Sequence, residues 1–217
     1  MRRNIALRHW SLLQGNEIAL KTRTIEDVFQ NMCVLLKDIV PYDRAGISLY
    51  DPDHDSLRIS AIFGPHENSV FQVGHLLSRT TSQTGWVFEH KSTLFRRNLS
   101  KEIKFPGDKR VVEEGYHSIC SIPLVVRGNG LGVVTVLASG KNQLSADHTE
   151  IVEEVSKPIA LAISSLIPRC PQHTNTRIVC PRCIGAAGGK ATVLKHRGNL
   201  SNWGKMGGRG RKNSDFG

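Results

Sequence analysis

Cys170, His173, Cys180 and Cys183 are the residues whose types and spacing most directly suggest a chemistry. They stand as Cys-Pro-Gln-His and, six residues later, Cys-Pro-Arg-Cys. Two close pairs of sulfur and nitrogen donors are what tetrahedral Zn²⁺ requires, and a Cys-Pro-x-Cys turn aims both of its sulfurs at one point. Four protein donors leave no open position for a substrate, so the expected cofactor is a structural zinc in a small knuckle over residues 170–183. A redox dithiol at Cys180 and Cys183 is the rival reading, and it gives Cys170 and His173 no role. The other cysteines, Cys33 and Cys120, sit in apolar stretches where a thiol acts as a small hydrophobe.

The surroundings of the four ligands are strongly cationic. From Arg169 to Gly217 the chain carries ten Lys or Arg and one acid, a net +9, whereas residues 1–168 hold nineteen and eighteen, a net +1. Nine of the twenty glycines fall in the same C-terminal stretch. Composition therefore changes at Pro168, and residues 168–217 are expected to be a basic, Gly-rich tail. Its Gly204–Lys212 run resembles an AT-hook, with Gly210 where the hook has its Pro. Lys205, Arg209, Arg211 and Lys212 are the candidate nucleic-acid contacts, made to phosphates by a flexible arm. An acidic partner, or plain solvation, would use the same charges.

The remaining sequence has to supply a fold. With 39% hydrophobic residues in 217, the chain can bury the core of one domain and have length to spare. No run of 18 apolar residues is present, so no membrane partner is expected. The N-terminus is a poor secretory signal because Arg8 and His9 interrupt it, and a cytoplasmic setting with reduced thiols follows.

The central element is Ser118–Ala138, in which two β-branched runs flank Arg127-Gly128-Asn129-Gly130. It reads as a β-hairpin whose Gly and Asn residues supply the positive φ angles of the turn. Leu131, Val133, Thr135 and Leu137 alternate with Val134, Val136 and Ala138, and neither set is built for water, so the hairpin is expected inside its sheet with helices over both faces. Upstream, residues 1–23 read as a helical lead-in. Thr24 is an N-cap for a helix with Ile25, Val28, Phe29, Met32, Leu36 and Ile39 on one stripe. Two antiparallel strands turn at Asp51–Asp55, and Gly64–Thr84 is an irregular loop suited to ligand access. Two short helices and a short strand lead into the hairpin. Ser145 then caps a long helix that Pro158 is expected to kink, with a stripe long enough to cover the sheet and seed a dimer.

Val40-Pro41-Tyr42-Asp43-Arg44, Gly85-Trp86-Val87-Phe88-Glu89-His90, Phe105-Pro106-Gly107-Asp108 and Ser121-Ile122-Pro123-Leu124 together resemble a GAF domain over residues 24–167. The nearest likeness is to the sensory module of regulators such as the formate hydrogenlyase transcriptional activator. The resemblance implies an α+β, PAS-related fold with a central antiparallel sheet between helices, a small-molecule pocket against the looped middle, and homodimerisation through the flanking helices. Trp86, His90, Tyr116, His117 and Cys120 lie where loop and sheet meet and are the candidate pocket residues. The Asn-Lys and Phe-x-x-x-Asp-Glu pattern of cyclic-nucleotide binders is missing, and Cys120 is followed by Ser121 rather than by the His usual at a bilin attachment site.

The expected function is non-enzymatic: sensing of an unidentified small molecule, or dimerisation, in transcriptional or signal-transduction regulation. One alternative is a nucleic-acid-binding or scaffold protein that uses the fold only to dimerise. Another is an oxidoreductase like the free methionine sulfoxide reductases, with Cys33 and Cys120 as its thiols. The chain shows neither the ATPase nor the helix-turn-helix domain that follows this module in the activators, so its signal is expected to leave by another route.

Overall fold

Thr24 begins the first helix as its place ahead of an apolar stripe predicts, its Oγ1 accepting a hydrogen bond from the Asp27 backbone N–H at 3.1 Å. The computed structural model describes residues 23–67, 69–167, 169–170 and 173–177, the last two ranges as backbone only. The expected lead-in over residues 1–23 therefore lies, but for Arg23, outside the described residues, as do Cys180, Cys183, Lys205, Arg209, Arg211 and Lys212. Helix α1, Ile25–Lys37, buries Val28, Phe29, Met32, Cys33, Leu35 and Leu36 along one side. Just beyond its end, the Tyr42 hydroxyl donates to the Cys33 carbonyl at 2.6 Å and ties the Pro41 turn back to the helix.

Six strands make one sheet: β1 Arg44–Asp51, β2 Ser56–Phe63, β3 Leu76–Ser78, β4 Leu94–Arg96, β5 Ser118–Val126 and β6 Asn129–Ala138. Their order is β3-β2-β1-β6-β5-β4, every neighbour antiparallel, so the β5–β6 hairpin is central as its two apolar faces require. Its turn differs from the expectation. Val126 pairs with Asn129, and the two turn residues are Arg127 (φ 50°) and Gly128 (φ 78°). Asn129 is thus a strand residue, and Arg127 takes the left-handed conformation because the alternation of buried residues holds the strands in register. Pro123 lies beyond the last β4 partner, the Ser121–Leu94 pair, where its missing N–H is not required on that side. The stretch from Gly64 to Thr84 is less irregular than its composition suggests, since it contains β3.

Three further helices, α2 Gln83–His90, α3 Asp108–Glu113 and α4 Ala146–Leu166, complete the α+β fold. Helix α4 packs on β5 and β6, with α1 against it and against β2, while α2 meets β5 and β6 on the other face. The alternation in β6 sorts the layers: Val136 meets Val152 of α4, whereas Thr135 and Leu137 turn towards α2 and the loops. Helix α4 runs on through Pro158, which is buried within it. At the start of α2, Gly85 lies so close to the preceding loop that a Cβ would stand 2.2 Å from the Arg79 carbonyl oxygen. That approach draws the first turn of α2 onto the sheet.

The chain divides into two compact units at Leu166 and Ile167. In the second, β7 Arg169–Cys170 pairs antiparallel with β8 His173–Arg177. No helix among the described residues is long and apolar enough to cross a membrane.

Candidate functional site

Between the α2 face of the sheet and the segments that cross it lies a cavity of about 120 Å³. Its floor is β1, β2 and β6, where Gly46, Ile59 and Thr135 lie on the sheet; Phe71 comes from the loop after β2, Leu77 from β3, and Phe105 and Tyr116 from either side of α3. The walls are apolar and a few polar groups converge on them, which is the make-up of a small-molecule site. Phe71, Leu77 and Ser82, all within the Gly64–Thr84 stretch, are among the residues that line the cavity.

The polar groups form two sets. In the first, Gln83 of α2 donates from Nε2 to Ser121 Oγ at 2.6 Å, and Ser121 Oγ shares a hydrogen bond with Thr135 Oγ1 at 2.8 Å. Gln83 is 9% exposed, and its Oε1 has no partner in the protein. An amide can be turned end for end, so either its oxygen or its nitrogen meets Ser121, and in both cases one buried end is left over. Leaving such a group unpaired costs about 1–3 kcal/mol. Water or a bound molecule must satisfy it.

In the second set, Arg44 at the start of β1 donates from Nη1 to Glu114 Oε2 at 2.9 Å and to Ser69 Oγ at 2.8 Å, and from Nη2 to the Phe71 carbonyl at 2.7 Å. Ser69 Oγ donates to Glu114 Oε2 at 2.7 Å, and the Val70 N–H to Glu114 Oε1 at 3.1 Å. One buried guanidinium thus clasps the 69–71 loop and the end of α3 across the sheet. Asp108, also at the wall, is held by Arg96 through Nη1 to Oδ2 at 2.6 Å and Nη2 to Oδ1 at 2.8 Å. Burial raises the pKa of Asp108, but the Arg96 hydrogen bonds, the Lys104 and Phe105 N–H groups and the Arg96 charge together lower it below the ordinary carboxylate value. Each charge at the wall is therefore matched within the protein.

The family-model comparison matches a GAF domain over residues 22–164, most of the chain. The chain belongs to the GAF domain family. None of the curated proteins compared matches it. Among solved structures, this GAF domain is similar to that of an Acinetobacter phosphoenolpyruvate-protein phosphotransferase: 21% identity, 71% of this chain and 91% of that one, TM-score 0.61. It is similar to the GAF domain of a two-component sensor histidine kinase from Bacillus halodurans, at 20% identity, 67% and 97% coverage and TM-score 0.60. The free methionine-R-sulfoxide reductase of Neisseria meningitidis shares the fold too, at 16% identity, 74% and 90% coverage and TM-score 0.62.

Of the candidate pocket residues, the GAF domain brings only Tyr116 to the cavity. Trp86 and His90 stack on each other instead, ring centres 4.3 Å apart, with His90 Nδ1 2.9 Å from the Trp86 carbonyl. They are one helical turn apart, each is the other's partner, and neither lines the cavity. His117 Nδ1 is 3.0 Å from Ser100 Oγ, off the cavity. Cys120 has the opposite strand parity to Ser121 and faces α4, near Val40, Leu144 and Val152. Gln83, Thr135, Arg44 and Glu114 were not singled out by residue type. The one available signal was parity: with the hairpin read correctly, Ser121 and Thr135 share a face and form a register pair.

Cys33 and Cys120 are both buried, unpaired to each other, and absent from the cavity lining. Burial pushes each thiol up to about 12, only partly offset by hydrogen bonding to Tyr42 for Cys33 and to Thr149 for Cys120. A thiol rather than a thiolate at neutral pH is a poor nucleophile. Neither residue is expected to react with a disulfide reagent at pH 8 until denaturant is added, and peptide mapping of the labelled protein checks this. Prompt native labelling of either would reopen a redox role.

Proposed function

We propose that this GAF domain is a non-enzymatic sensory module that binds a small, overall neutral polar molecule in the cavity over β1 and β6. The carrying observation is the buried Gln83 amide, which lines this cavity with one end unpartnered while the charged groups of the wall are matched within the protein. Charge matching at Arg44 with Glu114 and at Asp108 with Arg96 supports a ligand with no net charge. The cavity, about 120 Å³, is close to the engineered 150 Å³ cavity that takes benzene, which points to a ligand of roughly six to eight heavy atoms, far below a cyclic nucleotide or a bilin. The use of the fold solely as a dimerisation platform fits less well, because a platform gains nothing from an unfilled space or an unsatisfied amide. A reductase reading lacks cavity thiols among the described residues. The proposed setting is cytoplasmic regulation of transcription or signalling, with the cationic C-terminal stretch offered to nucleic acid.

Gly46 supplies the test. Its backbone is ordinary, it lines the cavity, and a Cβ there would meet nothing nearer than the Ala61 carbonyl oxygen at 3.9 Å. Gly46→Val is expected to leave the fold intact and to raise its stability by up to about 1 kcal/mol, since a β-branched residue suits a strand better than Gly. A thermal-shift screen of small neutral and zwitterionic metabolites should find compounds that raise the Tm of the parent by a few degrees, an effect lost in Gly46→Val and weakened in Gln83→Leu. Compounds that shift parent and Gly46→Val equally, or a screen in which nothing shifts the parent, would overturn the reading.

A further inference from the structure

A second cleft, of about 330 Å³, lies between α4 and β5 and shares no lining residue with the sensory cavity. Unequal strand lengths create it. β5 has nine residues and β4 only three, paired with Ile119, Cys120 and Ser121, so among the described residues β5 has no strand beside that edge beyond Ser121. Ile122, Pro123 and Val125 of the uncovered stretch form one wall. The facing wall is one stripe of α4, Glu153, Ser156, Lys157 and Ala160, at the spacing that brings residues to a single helix face. Lys91, just after α2, completes the rim, and its Nζ donates to the Gly128 carbonyl of the hairpin turn at 2.6 Å.

Ser156 distinguishes this cleft from a mere gap. It is 2% exposed, yet its hydroxyl has no hydrogen-bond partner among the described residues. Helical Ser and Thr ordinarily bond back to a carbonyl three or four residues earlier, and α4 does so twice: Thr149 Oγ1 donates to the Ser145 carbonyl at 3.1 Å and Ser165 Oγ to the Ala162 carbonyl at 2.7 Å. Ser156 departs from that habit within the same helix, at a position that lines the cleft. A buried hydroxyl left unpaired is costly, so a molecule in the cleft has to complete it. The rim carries two ammonium groups, Lys91 and Lys157, and one carboxylate, Glu153, an excess of one positive charge. The Gly128 carbonyl takes one of the three Lys91 N–H donors, which holds that ammonium in place with donors to spare. Pro123 has no N–H, so the uncovered edge lacks a donor that a pairing strand would use, and it suits a small molecule better than an added strand.

We propose that this cleft is a second ligand site, for a small monocarboxylate with an apolar tail. The tail lies against Ile122, Val125 and Ala160, the two lysines favour the negative charge, and the Ser156 hydroxyl donates to a ligand oxygen. Glu153 repels a second negative charge, so dicarboxylates and phosphate are selected against.

The test titrates the full chain with isovalerate and follows the amide chemical shifts, with glutarate, inorganic phosphate and neutral isovaleramide as comparison probes. Isovalerate should shift amides in residues 91–93, 122–125 and 153–160 saturably, and should bind more tightly than any comparison probe. Ser156→Ala removes only the unpaired hydroxyl; it should keep or raise the Tm while weakening isovalerate at least about fivefold. Lys157→Gln should weaken it about two- to fivefold, a difference that shrinks at high salt. Gly46→Val, which fills the sensory cavity, should leave isovalerate binding unchanged, so the result stands apart from the reading of that cavity. An absence of saturable shifts around the cleft, or equal affinity in Ser156→Ala, would overturn the proposal. Glutarate or isovaleramide binding as tightly as isovalerate would overturn the choice of a monocarboxylate.

Discussion

Replacing Arg96 by Met is expected to destabilise the GAF domain by about 3–5 kcal/mol, among the largest effects a single substitution in it can have. The Arg96 and Asp108 side chains are 1% and 4% exposed and meet in a bidentate pair. Arg96 also donates to the Glu102 carbonyl at 3.0 Å, while Asp108 Oδ2 accepts from the Lys104 and Phe105 N–H groups at 2.7 and 2.8 Å. The pair thus fastens β4 to the loop that opens α3, which carries Phe105 and Asp108 to the cavity wall. Met fills much of the space left by the stem but strands a buried carboxylate. Urea unfolding measures the loss, and Arg96→Met with Asp108→Asn should be more stable than Arg96→Met alone, because the amide removes the unpaired charge while retaining an acceptor for the loop N–H groups. A double variant no better than the single one would show that the loop bonds, not the charge, carry the cost.

The same pair sets an acid limit. The folded Asp108 has its pKa lowered, so its contribution is fully present above the unfolded value of about 3.9 and is lost as pH falls through the lower folded value. The parent should therefore lose stability on acidification below about pH 4. In Arg96→Met, burial opposes ionisation without the guanidinium, and the acid dependence should flatten; an unchanged slope would assign it to other carboxylates.

Arg44→Met is expected to cost about 2–3 kcal/mol, less than Arg96→Met because the Glu114 side chain keeps 17% of its exposure and some of its hydration. Its effect on access to the cavity should exceed its effect on stability. Arg44 touches Ser69, Phe71 and Glu114, and the loop N–H groups of Val70 and Phe71 are tied to Glu114 and to Ser69 within that cluster. Once the guanidinium is removed, amide exchange at Val70 and Phe71 should accelerate by at least about tenfold, while the β5–β6 hairpin stays protected. Uniform acceleration across the sheet would mean that Arg44 is a general stabiliser and not a loop clasp.

Local physics made much of this protein readable before its tertiary structure. The apolar stripe behind Thr24, the alternating arms of the hairpin and the stripe behind Ser145 each encode one element through a periodicity that needs no distant partner. The grouped motifs implied the family, and the structure shows what several of those residues do: Tyr42 ties the Pro41 turn to α1, Arg44 clasps the loop, Asp108 receives Arg96. The abrupt rise in charge at Pro168 and the Cys/His spacing are likewise properties of sequence alone.

Which side chains surround the cavity was decided only in three dimensions. Trp86 and His90 look like pocket residues by type, yet the two rings stack on each other and neither lines the cavity, while Gln83, at the start of the same helix, reaches Ser121 on the sheet. Cys120 and Ser121 are neighbours in sequence and on opposite faces in the sheet, since each step along a strand reverses the side chain. Arg44 with Glu114 and Arg96 with Asp108 are partners across 70 and 12 residues, and no local pattern announces either pair. Helix and strand follow from short-range sterics and burial, which the order of residues dictates; a binding site needs groups from several elements to converge, and only the packing of those elements determines which groups meet.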